Sequence, residues 1–295
     1  MFNIDAQLKA DLDLLPCFIR IASISPIEQG DSHQSFKVID QNKVYFVKRL
    51  SKLQNVDENN LVVEISRQLS ITPTLIFSTA HWQVYEYING QSLALTSLSM
   101  MDKVNTCIDV MVLCHDELSF IAKDINLHTL NPRKVINELS INLSEQQWEF
   151  IDKIVDKLCN PLLVSPVTIC HGDINFFNII TEQHVWLIDF ECACLADAEF
   201  DIAMMIAINE LDYTSIRIII EYCIKSYQFK SKNKVKLSKD MIMNYLSFCY
   251  LINGLWYKER SGKVGSDLFS NKANKQFDYF DKLSLGCESL LKQMR

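Results

Sequence analysis

The period of the apolar residues shifts near Gly90 from mostly strand-like to mostly helical, and that shift constrains the fold more than any other feature. Before it, apolar and polar residues alternate as strands require. Residues 36–39 and 44–48 flank Asp40, Gln41 and Asn42, a hairpin pattern, and residues 74–77 and 83–87 read as two more strands. One helix interrupts them over residues 57–69, where Leu61, Val62, Ile65 and Leu69 recur at helical spacing and Pro73 ends the run. A short amphipathic helix over residues 3–15 precedes the strands. Beyond Gly90 the spacing is helical over residues 99–116, 145–159, 199–227 and 237–260. The stretch 167–190 breaks this pattern with three short strands, and residues 259–276, rich in Lys, Ser, Gly and Asn, read as a surface loop. The expected fold class is therefore α+β. It has a small antiparallel sheet lobe with one helix over residues 1–90, and a larger, mostly helical lobe over residues 91–295.

Composition narrows the function classes. At 295 residues, 48% hydrophobic and 22% charged, the chain can bury a large core and is not a disordered polymer. Its net charge of -7 speaks against a nucleic-acid partner, which would select clustered Lys and Arg. The ten cysteines are scattered and none forms a Cys-x-x-Cys pair, which suits a reducing cytoplasm rather than a disulfide framework. The first fifteen residues carry Asp5, Asp11 and Asp13 and no basic start, unlike a signal peptide. The longest apolar run, near residues 216–224, is interrupted by charge and too short for a bilayer. The expectation is a cytoplasmic protein with no membrane partner; no pattern specifies an oligomeric state.

The chemistry is concentrated in His171-Gly172-Asp173-Ile174-Asn175-Phe176-Phe177-Asn178, followed by Leu187-Ile188-Asp189-Phe190. His171, Asp173 and Asn178 keep the offsets of the kinase catalytic loop H-R-D-x-x-x-x-N, with Gly172 in place of Arg. Asp189 follows on a later strand, far enough on for a hairpin to return beside the loop. Phosphoryl transfer needs a carboxylate to orient a hydroxyl and take its proton, a role open to Asp173. It also needs Mg²⁺ held by few protein oxygens, which the amide of Asn178 and the carboxylate of Asp189 can supply. His171 is expected to brace the loop.

The N-terminal half offers partners. Lys48 stands on a strand, where kinases carry the lysine that meets the α- and β-phosphates; otherwise it is an exposed strand lysine. Glu58 and Glu64, on the helix that follows, are alternative ion-pair partners for it. The polar loop from Gln29 to Ser35, with Gly30 its one glycine, is the candidate phosphate cover. Glu86 to Gly90, including Ile88, is either a hinge offering backbone groups to adenine or an ordinary strand end.

Taken together, these residues resemble the aminoglycoside phosphotransferase and choline kinase superfamily, from about Ser25 to Trp256. Asp189-Phe190-Glu191 and Phe200-Asp201-Ile202-Ala203 are most similar to the choline, ethanolamine and thiamine kinase branch. The resemblance implies a protein-kinase-like bilobal fold, with residues 1–90 as a nucleotide-binding lobe and 91–295 as a catalytic and substrate-binding lobe. It implies ATP and Mg as cofactors, Asp173 as base, Asn178 and Asp189 at the metal, Lys48 at the phosphates and Asp201 as a structural residue. The chain departs from the pattern in its glycine-poor loop and in Cys192-Ala193-Cys194, where the branch often places an aromatic residue. Asp201 follows Asp189 by twelve residues without an Ala-Pro-Glu, which leaves no room for a peptide-binding activation segment. The expected acceptor is a small-molecule alcohol, a cation of the choline, ethanolamine or thiamine type, with Glu191 and Trp256 facing it. Trp256 and its neighbours Tyr250, Tyr257, Phe277, Tyr279 and Phe280 read equally as helix-packing core. The alternatives are an aminoglycoside or ketosamine phosphotransferase, a non-catalytic nucleotide-binding relative, and a metal hydrolase using His171, Asp173 and Asp189 with His184.

Overall fold

The computed structural model describes residues 6–27, 34–50, 56–120, 127–159, 168–283 and 289–294. Helix α1 (Ala6–Asp13) precedes strands β1 (Ile21–Ile27), β2 (Gln34–Asp40) and β3 (Lys43–Arg49). The β2–β3 turn falls at Gln41, whose φ of 53° is left-handed. Helix α2 (Val56–Gln68) leads to β4 (Leu75–Ser78) and β5 (Trp82–Glu86), and all five strands form one antiparallel sheet in the order β1-β2-β3-β5-β4. Val38, Val47 and Val84 lie on neighbouring strands and are fully buried, with Leu8 and Leu12 of α1 in the same core. Each such side chain contributes about 1.5–3 kcal/mol of hydrophobic burial. That seam aligns β3, and thus fixes where Lys48 stands.

The helical part begins after β6 (Gln91–Ser92). Helix α3 (Met100–Leu118) starts at Ser99, whose hydroxyl accepts from the Asp102 N–H. Then come α4 (Pro132–Asn137), α5 (Glu145–Cys159), β7 (Thr168–Cys170), β8 (Ile179–Thr181), β9 (Val185–Leu187) and β10 (Cys194–Ala196). Helices α6 (Ala198–Ile208), α7 (Ile216–Lys230), α8 (Lys239–Val264), α9 (Asp267–Leu283) and α10 (Leu290–Gln293) complete the chain. The described helices include none long and apolar enough to cross a membrane.

The chain divides into two compact units, Met1–Leu95 with Ile180–Ile188, and Thr96–Ile179 with Asp189–Arg295. The first therefore takes in a hairpin from beyond residue 90, because β8 pairs with β6 through Gln91–Thr181 and Ser92–Ile180. In the second, β7 and β10 pair across Cys170 and Cys194. The α+β class expected from the change of period is the class observed.

Two expectations are corrected. Residues 259–276 are not a surface loop: α8 runs to Val264, Gly265 caps it in a left-handed conformation, and α9 starts at Asp267. Ala273, Gln276, Phe277 and Phe280 recur at helical spacing and are buried, and this outweighs the polar composition. A Cβ at Gly254 on α8 would run into the ring of Phe277, so this glycine allows the two helices to approach closely. Residues 199–227 are not continuous helix either. They break between α6 and α7 at Asn209, whose side chain is spent on another segment, as described next.

Candidate active site

The loop after β7 is held by side chains that reach it from far along the sequence. Asp201, in the first turn of α6, accepts from the His171 N–H through Oδ2 and from the Gly172 N–H through Oδ1, both at 2.8 Å. His115 of α3 adds a contact from Nε2 to Asp201 Oδ2 at 2.9 Å. Asp201 is completely buried, which by itself would raise its pKa. The hydrogen bond from His115, with His171 and the Gly172 N–H, outweighs burial and holds the carboxyl below its ordinary range. At the loop's other end, Asn209 Oδ1 accepts from the Phe176 N–H at 2.8 Å, and Asn209 Nδ2 donates to the Ile174 carbonyl at 3.1 Å.

Gly172 is required by geometry. Its φ is 76°, and a Cβ would collide with the carbonyl oxygen of Cys192. No Arg fits there, which accounts for the departure from the kinase motif. His171 is fully buried, lies edge-on to Phe190 at 4.5 Å, and accepts from the Asp173 N–H through Nδ1 at 3.2 Å. It therefore braces the loop.

Asp173 is half-buried. Asn175 Nδ2 donates to its Oδ1 at 3.0 Å, and Asn178 Nδ2 donates to its Oδ2 at 2.8 Å and to its main-chain carbonyl at 3.0 Å. Burial pushes the carboxyl up to about 7. The Asn175 bond pulls against that, Asp189 adds to it, Asn178 opposes it, and Glu191 adds a little more. A carboxyl raised this far is suited to taking a proton near neutral pH. Asp189 has left-handed backbone angles, φ 68° and ψ 69°, an uncommon conformation for a residue with a Cβ. Glu191, in the turn Phe190–Cys192, is exposed.

The donor set fits a hard divalent cation. Asn178 commits its Nδ2 to Asp173, leaving its carbonyl oxygen as the donor atom, and Asp189 supplies a carboxylate. Burial is the larger cause of the raised Asp173, and the repulsion from Asp189 that adds to it is of the kind a bound cation relieves. A zinc-type site is less well matched, since His171 is buried and uses Nδ1 on the main chain, while His184 is exposed on the β8–β9 turn of the first unit.

In the first unit, Lys48 is 8% exposed, so it is not the exposed strand lysine the sequence allowed. It lies in register with Ser35 on β2 and Gln83 on β5. Arg49 points the other way, its guanidinium 5.4 Å from the Trp82 ring. Glu64 accepts from Gln68 at 3.1 Å and lies 3.8 Å from Arg67 on the same helix. The Glu58 side chain lies outside the described residues, as does Gly30 with residues 28–33. Glu86 closes β5 and donates its N–H to the Thr74 carbonyl at 2.9 Å; Ile88 follows beyond the strand. Trp256, on α8, lies 6.4 Å from Phe269 of α9, with Arg260 5.0 Å from its ring.

Sequence reasoning missed Asn175, Asn209 and His115. Asn209 had a signal, a polar residue just after an unbroken apolar run. His115 sits within the apolar stripe of α3 and gave none.

The model of the phosphotransferase enzyme family matches residues 118–218, which include Asp173, Asn178, Asp189 and Asp201. Over 203 residues the chain is 21% identical to the Protein LicA homolog of Mycoplasma capricolum subsp. capricolum, covering 68% of this chain and 79% of that one. The crystal structure of choline kinase LicA from Streptococcus pneumoniae superposes with a TM-score of 0.70 at 19% identity, over 90% of this chain and 95% of that one. A structure of LicA in complex with AMP gives a TM-score of 0.72 at 20% identity, over 94% and 97%. At these identities the solved structures establish a shared fold. Residues 118–218 thus match the phosphotransferase enzyme family, and the chain has the kinase-like fold seen in choline kinase LicA.

Proposed function

We propose that the protein transfers the terminal phosphoryl group of ATP, with magnesium, to the hydroxyl of a small cationic alcohol of the choline, ethanolamine or thiamine kind. One observation carries this reading: a half-buried Asp173 carboxyl, raised to about 7 and aligned by two asparagine amides, on a loop pinned by Asp201. The kinship with choline kinases supports the acceptor class, and the AMP held by LicA supports an adenine nucleotide.

In this reading Asp173 accepts a hydrogen bond from the acceptor hydroxyl and takes its proton as the new O–P bond forms. The bond from the terminal phosphorus to the bridging oxygen breaks, and ADP leaves. Asn175 and Asn178 hold the carboxylate in place throughout. Asn178 and Asp189 would hold magnesium, which when bound neutralises charge on the phosphates. Lys48, buried on β3, meets the nucleotide phosphates, with Glu58 or Glu64 as its partner, and residues 86–88 face the base. Glu191 attracts the cationic group of the acceptor. Trp256 serves the same group only if the Arg260 guanidinium gives way.

The test is ADP release with Mg-ATP and a panel of choline, ethanolamine, thiamine, amino sugars and ketosamines. Turnover of a cationic alcohol is expected. Turnover confined to amino sugars or ketosamines would move the protein to the aminoglycoside or ketosamine group. Nucleotide binding with no turnover on any acceptor would make it a binding protein.

A further inference from the structure

We propose that Tyr227 is a positioning residue for the Asp173 loop, acting through His115 and Asp201. The inference rests on Asp173 being the base. Three helices bring the residues together: Tyr227 from α7, His115 from α3 and Asp201 from α6. Tyr227 and Asp201 are fully buried and His115 is 3% exposed, so no bulk water completes their hydrogen bonds. The Tyr227 hydroxyl lies 2.8 Å from His115 Nδ1, and His115 Nε2 lies 2.9 Å from Asp201 Oδ2.

The chemistry of the three groups gives these contacts a direction. Asp201 is held ionised and can only accept, so His115 Nε2 donates to it. A neutral imidazole has one N–H, which leaves Nδ1 as an acceptor, and the Tyr227 O–H is placed to donate to it. Burial pushes the Tyr227 phenol up, so its proton stays on. The chain of donors runs Tyr227, His115, Asp201 and ends on the N–H groups of His171 and Gly172, just ahead of Asp173.

Tyr227 is itself anchored. Asp116, next to His115 on α3, accepts from Ser231 Oγ at 3.0 Å and from the Lys232 N–H at 2.8 Å, which fixes the end of α7. Without the phenol O–H, His115 Nδ1 is a buried acceptor lacking a donor. Nothing then fixes the rotation of the ring, and its Nε2 contact with Asp201 loosens. The Asp201 carboxylate selects the Nε2–H tautomer, and Tyr227 holds that ring at the angle that keeps Asp201 locked to the loop.

Long-range ¹H–¹⁵N NMR of the His115 ring, with a Tyr227→Phe variant that keeps the ring volume, tests this. Wild type is expected to show a neutral Nε2–H tautomer. The variant should keep it, with a displaced Nδ1 resonance, and shift the His171 and Gly172 amide signals. The kcat should fall about three- to tenfold while KM for nucleotide stays within about twofold. In a His115→Gln background, Tyr227→Phe should cost less than about 1.5-fold further, because its route to the loop is already gone. A doubly protonated or Nδ1–H ring in wild type would overturn the proposal. So would unmoved His171 and Gly172 signals, or the same loss of kcat in both backgrounds. Should no acceptor be turned over, the assignment of Asp173 as base fails, and the ring and amide signals still decide the role of Tyr227.

Discussion

The Asp173 loop and the α8–α9 pair lie in the same unit and are held by opposite means. The loop is fixed by polar side chains from elsewhere: Asp201 on two main-chain N–H groups, Asn209 on two more main-chain groups, and Asn175 and Asn178 on Asp173 itself. The helix pair is fixed by apolar fit, with Phe277 over Gly254 and with Ala273 and Phe280 buried nearby. A polar tether places a group to within a fraction of an ångström but tolerates no change of chemistry. Apolar packing tolerates chemistry but not volume. The molecule uses the first where a reacting atom must be placed, and the second where a helix only has to stay put.

Substitutions sharpen that contrast, beginning with the largest effect. Asp173→Asn keeps the shape, gives up one of the two amide hydrogen bonds and removes the base; kcat is expected to fall about 10²–10⁴-fold with the fold intact, read by steady-state ADP release and circular dichroism. Asp201→Ala leaves the His171 and Gly172 N–H groups without an acceptor, and should lower unfolding free energy by about 3–5 kcal/mol in urea melts. Gly254→Val forces the helix pair apart, and should cost about 1–3 kcal/mol in the same assay while leaving kcat nearly unchanged. If Gly254→Val cost as much activity as Asp201→Ala, the two regions would not be independent and the contrast would break.

A further effect is a pH dependence. The Asp173 carboxyl titrates near 7 in the folded protein, against an ordinary value near 4 in the unfolded chain. Its ionisation therefore opposes folding, and the loss accumulates as pH rises from about 4 to about 7. Asp173→Asn carries no such group. Its melting temperature should gain on wild type by a few degrees across that window, with a constant gap above it. A gap independent of pH would mean that the folded carboxyl titrates normally.

The same two regions show what the sequence makes legible. His171, Asp173, Asn178 and Asp189 are close along the chain and fixed in type by their chemistry, so their spacing alone picks out the loop. Asp201 takes its structural role only from the resemblance to the kinase superfamily, not from its own spacing. His115 and Asn209 could not be placed, since their partners are main-chain or side-chain groups brought near only by folding. The α8–α9 segment failed for another reason. Its Lys, Ser and Asn content describes the solvated face, while Ala273, Gln276, Phe277 and Phe280 describe the buried one. The side-chain partner of Lys48 is a case of a third kind, where α2 offers Glu58 and Glu64 at positions the spacing does not rank.

The hairpin β8–β9 carries a last consequence. The backbone leaves the first unit after Leu95, re-enters it at Ile180 and leaves again after Ile188. One cut therefore cannot yield the halves as independent fragments. A piece ending at Leu95 strands Gln91 and Ser92 with no neighbour for their ladder, and its complement carries an orphan hairpin with an unmatched edge. A faithful excision needs residues 180–188 grafted onto the N-terminal piece and the gap between Ile179 and Asp189 resealed by a short linker. That splice would fall directly beside Asn178 and Asp189.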